Sequence, residues 1–437
     1  MNVTWGRAAE VLAGNWLGSS TVPSRGLYPH QWSWDSAFIA FGLRHRSPSR
    51  ARRELLTLFS AQWRDGRVPH ILFNPDTPPE AYFPGPAFWQ AGRTSGLVQP
   101  PIHARAVLAV HEADPDPVFL ATLYPKLRAW HEYLRTGRDA GGRGLAAIVH
   151  PWESGMDNSP AWDGPLSHVT PSTGFVRRDL EHGEAADRPS DDDYGRYVRL
   201  ATDYRDSGYR DSACQNSGDF VVEDPGFNAL LADAELALAE IADILRLPTA
   251  AAAHREAAAR VTKALQDTLW DSAAGWFFAR DVRTGAPAPE YTCAGLLPLL
   301  LPDLAVAPAL LATATGPRFR LGRVHGVPSY DLTAPGFDPG RYWRGPSWFN
   351  VGWLVRQGLL RHGEHVLAAR LREDLVETAA ATGFAEYVDP LTAAGHGTRS
   401  FSWTAALTVD LLAERHCDNR GFAPGRGLRH PEPPKGS

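Results

Sequence analysis

Cysteine and methionine are scarce in this chain, whose 437 residues include 3 Cys and 2 Met. Cys214, Cys293 and Cys417 are odd in number and far apart, which argues against a disulfide framework and a thiolate metal site. The 16 histidines do not recur at ligand spacings, and no His-Glu-x-x-His sequence occurs. Phosphate-loop, dinucleotide-binding and Gly-x-Ser-x-Gly motifs are also missing. We therefore expect neither a metal nor a cofactor.

The chain also lacks a basic surface and a long hydrophobic run. Its net charge of −5, without a basic stripe, argues against a nucleic-acid partner. Arg7 and Glu10 stand where a signal peptide would have its apolar core. The most apolar run, residues 296–311, is interrupted by three prolines and Asp303, which predicts two short buried helices and not a membrane span. We expect a cytoplasmic protein without a membrane partner.

Helical periodicity dominates what remains and predicts an all-α protein. The clearest apolar stripe, residues 224–246, begins at Asp224 as N-cap with Pro225 at the first helical position. About a dozen helices are expected, without a ladder of alternating strands. Further stripes lie at residues 48–62, 101–111, 119–135, 252–269, 347–360, 364–380 and 402–414.

Loops rich in aromatic and acidic residues precede these helices every 50 to 75 residues, with one plainer helix between each pair. Such alternation is typical of a closed ring of inner and outer helices whose loops gather at one end. A stacked solenoid would give the same spacing, although no repeat is visible. We expect one catalytic domain over residues 1–420, ordered covers at 64–98 and 138–222, and a peripheral Gly/Pro-rich tail at 421–437.

The segment from Trp152 to Asp163, WESGMDNSPAWD, combines indoles, carboxylates and an amide without periodicity. Tryptophan is costly to leave in a loop and carboxylates are costly to bury, so the mixture favours a carbohydrate site with flat apolar walls and acid–base groups. Glycoside hydrolysis needs two carboxyl groups, one protonated and one ionised. The residue pattern alone does not choose among the carboxylates that stand beside aromatic residues, namely Asp35, Glu153, Asp157, Asp163, Glu223, Glu386 and Asp389.

Five segments resemble family 63 of the glycoside hydrolases and follow its order over nearly the whole chain. They are YPHQWSWD at 28–35, WESGMDNSPAWD at 152–163, YWRGPSW at 342–348, FAEYVDP at 384–390 and FSWTA at 401–405. The resemblance implies an (α/α)6 toroid and hydrolysis of an α-glycosidic bond with inversion. It also implies Asp157 as the general acid and Glu386 as the general base, with Asp389 as the rival base.

Within that family the chain is most similar to the bacterial mannosylglycerate and glucosylglycerate hydrolases, through YFPGP at 82–86, RPSDDDY at 188–194 and Tyr342. This similarity implies a glycerate pocket in which Arg188 and phenolic hydroxyls meet the substrate carboxylate. It leaves both the choice between mannose and glucose and the oligomeric state open. The residues assigned to substrate binding are Tyr28, Trp32, Trp34, Asp35, His70, Tyr82, Gln99, Trp152, Gly155, Arg188, Tyr194, Tyr342, Trp343, Trp348 and Trp403.

Three other interpretations compete with this one. A family 63 α-glucosidase acting on a neutral disaccharide or oligosaccharide would not need the cation at Arg188. A carbohydrate-binding protein without activity would not need both Asp157 and Glu386. An epimerase or lyase on the same toroid would be expected to carry a histidine pair, which the motif loops lack.

Overall fold

A computed structural model describes residues 3–181, 187–212, 219–302 and 304–418, so the tail predicted at 421–437 lies outside the described residues. The expected all-α architecture is confirmed within these ranges, where six inner helices alternate with six outer ones. The inner helices are Ser33–Leu43, His103–Ala113, Pro225–Ile244, Cys293–Leu300, Phe349–Arg361 and Ser402–Asp418. The outer helices are Val3–Gly14, Pro48–Ser60, Pro117–Gly137, Pro248–Leu269, Ala307–Thr315 and His365–Thr382.

The inner helices close into a ring. Each packs against the inner helix before and after it in the chain, and the sixth packs against the first. Each outer helix packs on an inner neighbour, so that inner and outer layers bury a common apolar core. This is the (α/α)6 toroid that the family resemblance implied, and the closed ring excludes the solenoid that the loop spacing had left open.

Local signals account for most helix boundaries. The Asp224 side chain accepts a hydrogen bond from the Phe227 amide at 2.6 Å, which confirms the predicted N-cap of the third inner helix. The apolar run at 296–311 does form two short elements, but the first, Cys293–Leu300, is a 3-10 helix that contains Pro298. The outer helix Val3–Gly14 was not predicted, because only Ala8, Ala9 and Leu12 of its twelve residues are buried.

Eleven short strands join the loops among the described residues, whereas the sequence predicted none. Each spans two or three residues, too few for alternation to be visible. The strands are β1 Gln31–Trp32, β2 Ile71–Leu72, β3 Ala147–Ile148, β4 Val222–Glu223, β5 Trp270–Asp271, β6 Trp276–Phe277, β7 Ala279–Asp281, β8 Pro287–Ala288, β9 Ser347–Trp348, β10 Tyr387–Val388 and β11 Gly395–His396. All pairings are antiparallel, in the orders β1–β2, β9–β10–β11, β3–β4–β7–β8 and β5–β6.

The two long inter-helix segments contain short elements of their own. Residues 64–98 include a 3-10 turn at Pro79–Ala81 and the one-turn helix Pro86–Trp89. The described parts of 138–222 include the 3-10 turns Pro151–Ser154, Pro160–Trp162 and Asp179–Glu181 and the helices Asp163–Leu166 and Asp191–Asp206. None of the described helices is both long and apolar enough to cross a bilayer.

Ring closure depends on Gly42 of the first inner helix, where a Cβ atom would lie 2.3 Å from the Ala406 carbonyl oxygen of the sixth. We expect Gly42→Ala to lower the free energy of unfolding by roughly 1–3 kcal/mol, because two helix backbones would have to separate. Gly6→Ala is the matched control, since a Cβ there meets nothing within 4 Å. That control should stabilise by up to about 1 kcal/mol through helix propensity. Urea unfolding measures both, and equal behaviour of the two variants would contradict the proposed closure contact.

Candidate active site

Two adjoining chambers lie where the aromatic loops meet the N-terminal ends of the inner helices. We name the first the tryptophan chamber, which is lined by Pro23, Tyr28, Trp32, Trp34, Asp35, Gln99, Gly155, Asp157, Tyr342, Trp343, Trp348, Glu386, Phe401 and Trp403. We name the second the arginine chamber, which is lined by Leu27, Tyr28, Trp32, His70, Ile71, Ala81, Tyr82, Phe83, Pro84, Trp152, Asp157, Arg178, Asp179, Arg188, Pro189, Tyr194 and Tyr342. Every residue that the sequence assigned to catalysis or substrate binding lines at least one chamber.

The loop that carries Asp157 is anchored by a buried ion pair. Both Glu153 oxygens accept hydrogen bonds from Arg138, at 2.6 and 2.7 Å, and neither side chain is exposed by more than 1%. The same carboxylate also accepts from the amides of Val98 at 3.2 Å and Val149 at 2.8 Å. Glu153 is therefore a structural anchor, and its bonds fix the backbone shortly before the candidate acid.

Further contacts hold the same loop against the chamber walls. Gly155 has φ +71°, and a Cβ atom there would lie 2.4 Å from the Trp34 indole, so this position requires glycine for both conformation and space. The Asn158 side-chain oxygen accepts from the Trp343 amide at 2.9 Å and thereby joins two of the sequence motifs. Asp157 is thus presented to both chambers from a loop fixed on either side.

Glu386 is almost fully buried at 1% exposure and lies just before β10. Its oxygens accept hydrogen bonds from the Tyr28 hydroxyl at 2.9 Å and the Thr398 amide at 3.1 Å. Arg188 donates to the Tyr28 oxygen at 3.1 Å, and its Nη2 lies 4.0 Å from Glu386 Oε2. A chain from guanidinium to phenol to carboxylate therefore favours the ionised form of Glu386.

The two carboxyl groups differ in how far their surroundings compensate for burial. Burial raises the pKa of Asp157 to about 7, and the charge of Glu386 adds to this, whereas Arg188 acts in the opposite direction. Burial also raises the pKa of Glu386, but Arg188, the Thr398 amide and the Tyr28 hydroxyl pull it back down. The pKa of Asp35 is raised well above its usual value by burial, with Glu386 as the next cause. The site thus favours a protonated Asp157 opposite an ionised Glu386.

Aromatic rings form rigid walls around these carboxyl groups. The Trp343 and Trp348 rings stack at 4.0 Å with an interplanar angle of 2°, and Trp348 donates to the Tyr342 carbonyl oxygen at 3.0 Å. Trp34 and Trp403 meet edge to face at 5.6 Å. Such flat, locked faces suit the C–H faces of a sugar ring.

The arginine chamber has polar walls with fixed protonation states. Arg188 is 7% exposed, and its guanidinium carbon lies 4.7 Å above the Tyr342 ring. Its Nη2 is buried without a hydrogen-bond partner among the described residues. Burial lowers the pKa of His70 well below its usual range, so this imidazole is neutral and bonds Ser95 through Nδ1. The chamber wall therefore contains a buried cation with one nitrogen that makes no hydrogen bond among the described residues and lies 4.0 Å from Glu386 Oε2.

Four of the seven carboxylates proposed from the sequence lie outside both chambers. Glu153 is the anchor already described, and Glu223 pairs with Arg280 at 3.3 Å. Asp163 forms an ion pair with Arg344 on the protein surface. Asp389 closes a turn by accepting from the Leu391 amide at 2.7 Å, so the rival base has a structural role.

Neither Asp35 nor Asp157, each of which lies close to the start of a helix, occupies an N-cap. Trp32 occupies the N-cap of the first inner helix, which leaves Asp35 in the first turn with its carboxyl in the tryptophan chamber. Ser159 occupies the N-cap before Pro160, so Asp157 caps nothing there. Both side chains therefore line the tryptophan chamber and do not cap a helix.

Sequence inspection missed two polar residues of the arginine chamber, Arg178 and Asp179. They lie in RRDLEHGE at 177–184, which resembles an ordinary charged surface segment without aromatic residues. Only their juxtaposition with Arg188 and Tyr194 in space reveals them. A mixed-charge segment inside a predicted cover was the one signal available.

The full arrangement offers a proton donor and a proton acceptor on a chamber with aromatic walls, beside a second chamber with a buried cation. Among solved structures, the chain is similar to the family 63 mannosylglycerate hydrolase of Thermus thermophilus in complex with Tris and D-glycerate. That match has a TM-score of 0.88 and 42% identity, and covers 94% of this chain and 100% of the other. The profile of the mannosylglycerate hydrolase MGH1-like glycoside hydrolase domain matches residues 28–404.

Curated relatives are similar over nearly their whole length. The mannosylglycerate hydrolase of Rubrobacter radiotolerans is 43% identical over 429 residues, which cover 93% of this chain and 96% of the relative. The glucosylglycerate hydrolase of Mycolicibacterium hassiacum is 37% identical over 453 aligned residues, covering 93% and 97% of the two chains.

We expect Glu153→Gln to lower the free energy of unfolding by about 3–5 kcal/mol, because Arg138 would keep a buried charge with its main partner neutralised. Glu132→Gln is the matched control, since it breaks an Arg–Glu pair whose carboxylate is 59% exposed. The control should change stability by less than about 1 kcal/mol. Urea unfolding of both variants makes the comparison, and similar midpoints would show that the buried pair does not anchor the loop.

Proposed function

Because the chain belongs to the mannosylglycerate hydrolase MGH1-like family of glycoside hydrolases, we propose that it cleaves the α-glycosidic bond of mannosylglycerate, glucosylglycerate or both. The products are the hexose and glycerate. The described residues form the catalytic unit, and residues 1–420 constitute one catalytic domain.

Asp157 is the general acid and Glu386 the general base in this proposal. Asp157 borders both chambers, so it can reach an oxygen that bridges a sugar in one and an aglycone in the other. Its raised pKa keeps the proton available near neutrality. Glu386 lines the tryptophan chamber alone and can activate a water on the opposite face of the sugar. Water attack from that face inverts the anomeric configuration.

The two chambers divide the substrate between them. Asp35 and Gln99 offer hydrogen-bonding groups to sugar hydroxyls beside the indole walls of the tryptophan chamber. The arginine chamber takes the glycerate, with Arg188 binding the carboxylate and hydroxyls of Tyr82, Tyr194 and Tyr342 beside it. The observation that carries the proposal is the buried Arg188 guanidinium in the chamber next to the acid. Its Nη2 makes no hydrogen bond among the described residues and can therefore pair with the glycerate carboxylate.

Turnover of four substrates tests the proposal, namely the α-mannoside and α-glucoside of glycerate and of the uncharged glycerol. NMR should detect the β-hexose first from at least one glycerate glycoside. Arg188→Ala should lower the selectivity for glycerate over glycerol by roughly 10–100-fold in kcat/KM, as expected for an anion without its charged partner.

Both substrates should lose some activity in that variant, because Arg188 also supports Glu386 through Tyr28. The ratio of the two kcat/KM values therefore carries the information, and not either value alone. An unchanged ratio would contradict glycerate binding by Arg188, and preferential hydrolysis of the glycerol glycosides would contradict the proposed substrate class.

The pH dependence of kcat/KM should be bell-shaped. Activity should fall above pH 7 as Asp157, with its pKa of about 7, loses its proton. It should fall on the acid side as Glu386 gains one, at a pH above the ordinary carboxyl pKa of 4.5 because its pKa is raised. Asp157→Asn should lower kcat by roughly 10²–10⁴-fold and remove the alkaline limb, and Glu386→Gln should remove the acid limb. An alkaline limb retained in Asp157→Asn would assign it to another group.

A further inference from the structure

A glycerate aglycone carries two polar groups besides the glycosidic oxygen. Glycerate has a carboxylate and two hydroxyls, so a glycoside formed at the secondary hydroxyl keeps one free primary hydroxyl. The proposed function gives Arg188 the carboxylate. A pocket that encloses the aglycone must also provide for the hydroxyl, because a buried hydroxyl without a partner costs free energy.

Asp179 lines the same chamber as Arg188 and is held rigidly there. Arg177 donates to both of its oxygens, from Nε at 3.1 Å and from Nη2 at 2.6 Å. The Arg177 side chain is only 7% exposed, whereas that of Asp179 is 19% exposed. The carboxylate is thus fixed by a forked contact while part of its surface stays open to the chamber.

Arg177 also fixes Asp179 relative to other groups of the arginine chamber. Its Nη1 donates to the Pro189 carbonyl oxygen at 2.7 Å, one residue beyond Arg188. Its guanidinium carbon lies 4.6 Å above the ring of Tyr194. One buried cation therefore sets the spacing between a chamber carboxylate, the backbone next to Arg188 and a chamber phenol.

We propose that Asp179 is a specificity-determining residue that accepts a hydrogen bond from the free hydroxyl of the glycerate. This inference rests on the proposed function. The Asp179 carboxylate repels the substrate carboxylate, whereas the Arg188 guanidinium attracts it. Together the two side chains therefore fix the orientation of the aglycone in the chamber. The pair selects an aglycone in which the carbon that bears the glycosidic oxygen carries a carboxylate on one side and a hydroxymethyl group on the other.

The effect of the Asp179 charge on neighbouring groups agrees with this placement. Burial raises the pKa of the Tyr194 hydroxyl, and the charge of Asp179 is the next cause. The same charge contributes slightly to the raised pKa of Asp157 and of Tyr82, for which burial is again the main cause. The aglycone hydroxyl lies one carbon from the glycosidic bond that Asp157 must protonate. Because Asp179 and Asp157 line the same chamber, an aglycone held there with its glycosidic oxygen at Asp157 can direct this hydroxyl toward Asp179.

The test compares α-glycosides of D-glycerate with those of D-lactate, which keeps the carboxylate but has a methyl group in place of the hydroxymethyl group. The wild-type enzyme should prefer glycerate by roughly 10–100-fold in kcat/KM. Asp179→Ala should lose that preference through a fall on glycerate, with the lactate value changed by less than about threefold. Asp179→Asn keeps the shape and one acceptor oxygen, so it should lose less, and it replaces the alanine variant if that fails to fold.

Asp191→Asn is the matched control. Asp191 also accepts from Arg177, at 3.0 Å, but its side chain is 84% exposed and it does not line the chamber. The control should retain the preference for glycerate. A loss equal to that of Asp179→Ala would assign the effect to Arg177 and overturn the inference.

The remaining outcomes separate the two proposals. Hydrolysis of both glycosides without preference in the wild-type enzyme, or equal losses on both in Asp179→Ala, would overturn the role of Asp179 while the proposed function stands. Failure of the wild-type enzyme to hydrolyse either glycoside would overturn the proposed function and this inference with it.

Discussion

The candidate site depends on a charge pair buried where solvent does not reach. Arg138 and Glu153 are costly to desolvate, and their forked hydrogen bonds offset much of that cost. Two backbone amides also donate to Glu153, and Asp211 lies 2.9 Å from Arg138 Nε. Because removal of either partner would leave a buried charge without its forked contact, these bonds favour one arrangement of the loop. Asp157 lies in the same loop and is held by the same contacts. Its distance from Glu386 is therefore set partly by groups outside both chambers. Such support is what acid–base catalysis requires, since small displacements of a proton donor lower the rate steeply.

In the proposed function, Arg188 acts both on the aglycone and on the two candidate catalytic carboxyl groups. The same guanidinium lowers the pKa of Glu386 and of Asp157 and presents a buried Nη2 to the arginine chamber. In the proposed function, a bound glycerate carboxylate would partly neutralise Arg188, which would then lower the pKa of Asp157 and of Glu386 less than it does alone. Substrate binding would then raise the pKa of the acid at the moment when its proton is needed. The cation thus acts on the reaction through its field as well as through contact.

Sequence patterns indicated helices and a candidate carbohydrate site because both leave local traces, whereas the toroid and the choice of carboxylates came from the resemblance to family 63. Apolar periodicity marks helices such as Pro225–Ile244, and tryptophans beside carboxylates mark loops where burial and polarity conflict. Asp179 left no such trace, because its role comes from Arg177 and from a chamber assembled out of distant segments. The anchoring role of Glu153 was hidden for the same reason: a carboxylate in a motif looks alike whether it faces a ligand or a buried arginine. Strands of two residues and a helix with three buried positions fall below the length at which periodicity can be read.

Four residues, Tyr28, Trp32, Asp157 and Tyr342, belong to the walls of both chambers. If the two chambers hold the sugar and the aglycone as proposed, a substitution at any of these four positions would alter the fit of both, which would constrain the evolution of new substrate ranges. Side chains that border one chamber only, such as Phe83 and Asp179, are free of that double constraint. Divergence toward other hydroxy-acid glycosides should therefore proceed through the single-chamber walls first, with the sugar preference inherited unchanged.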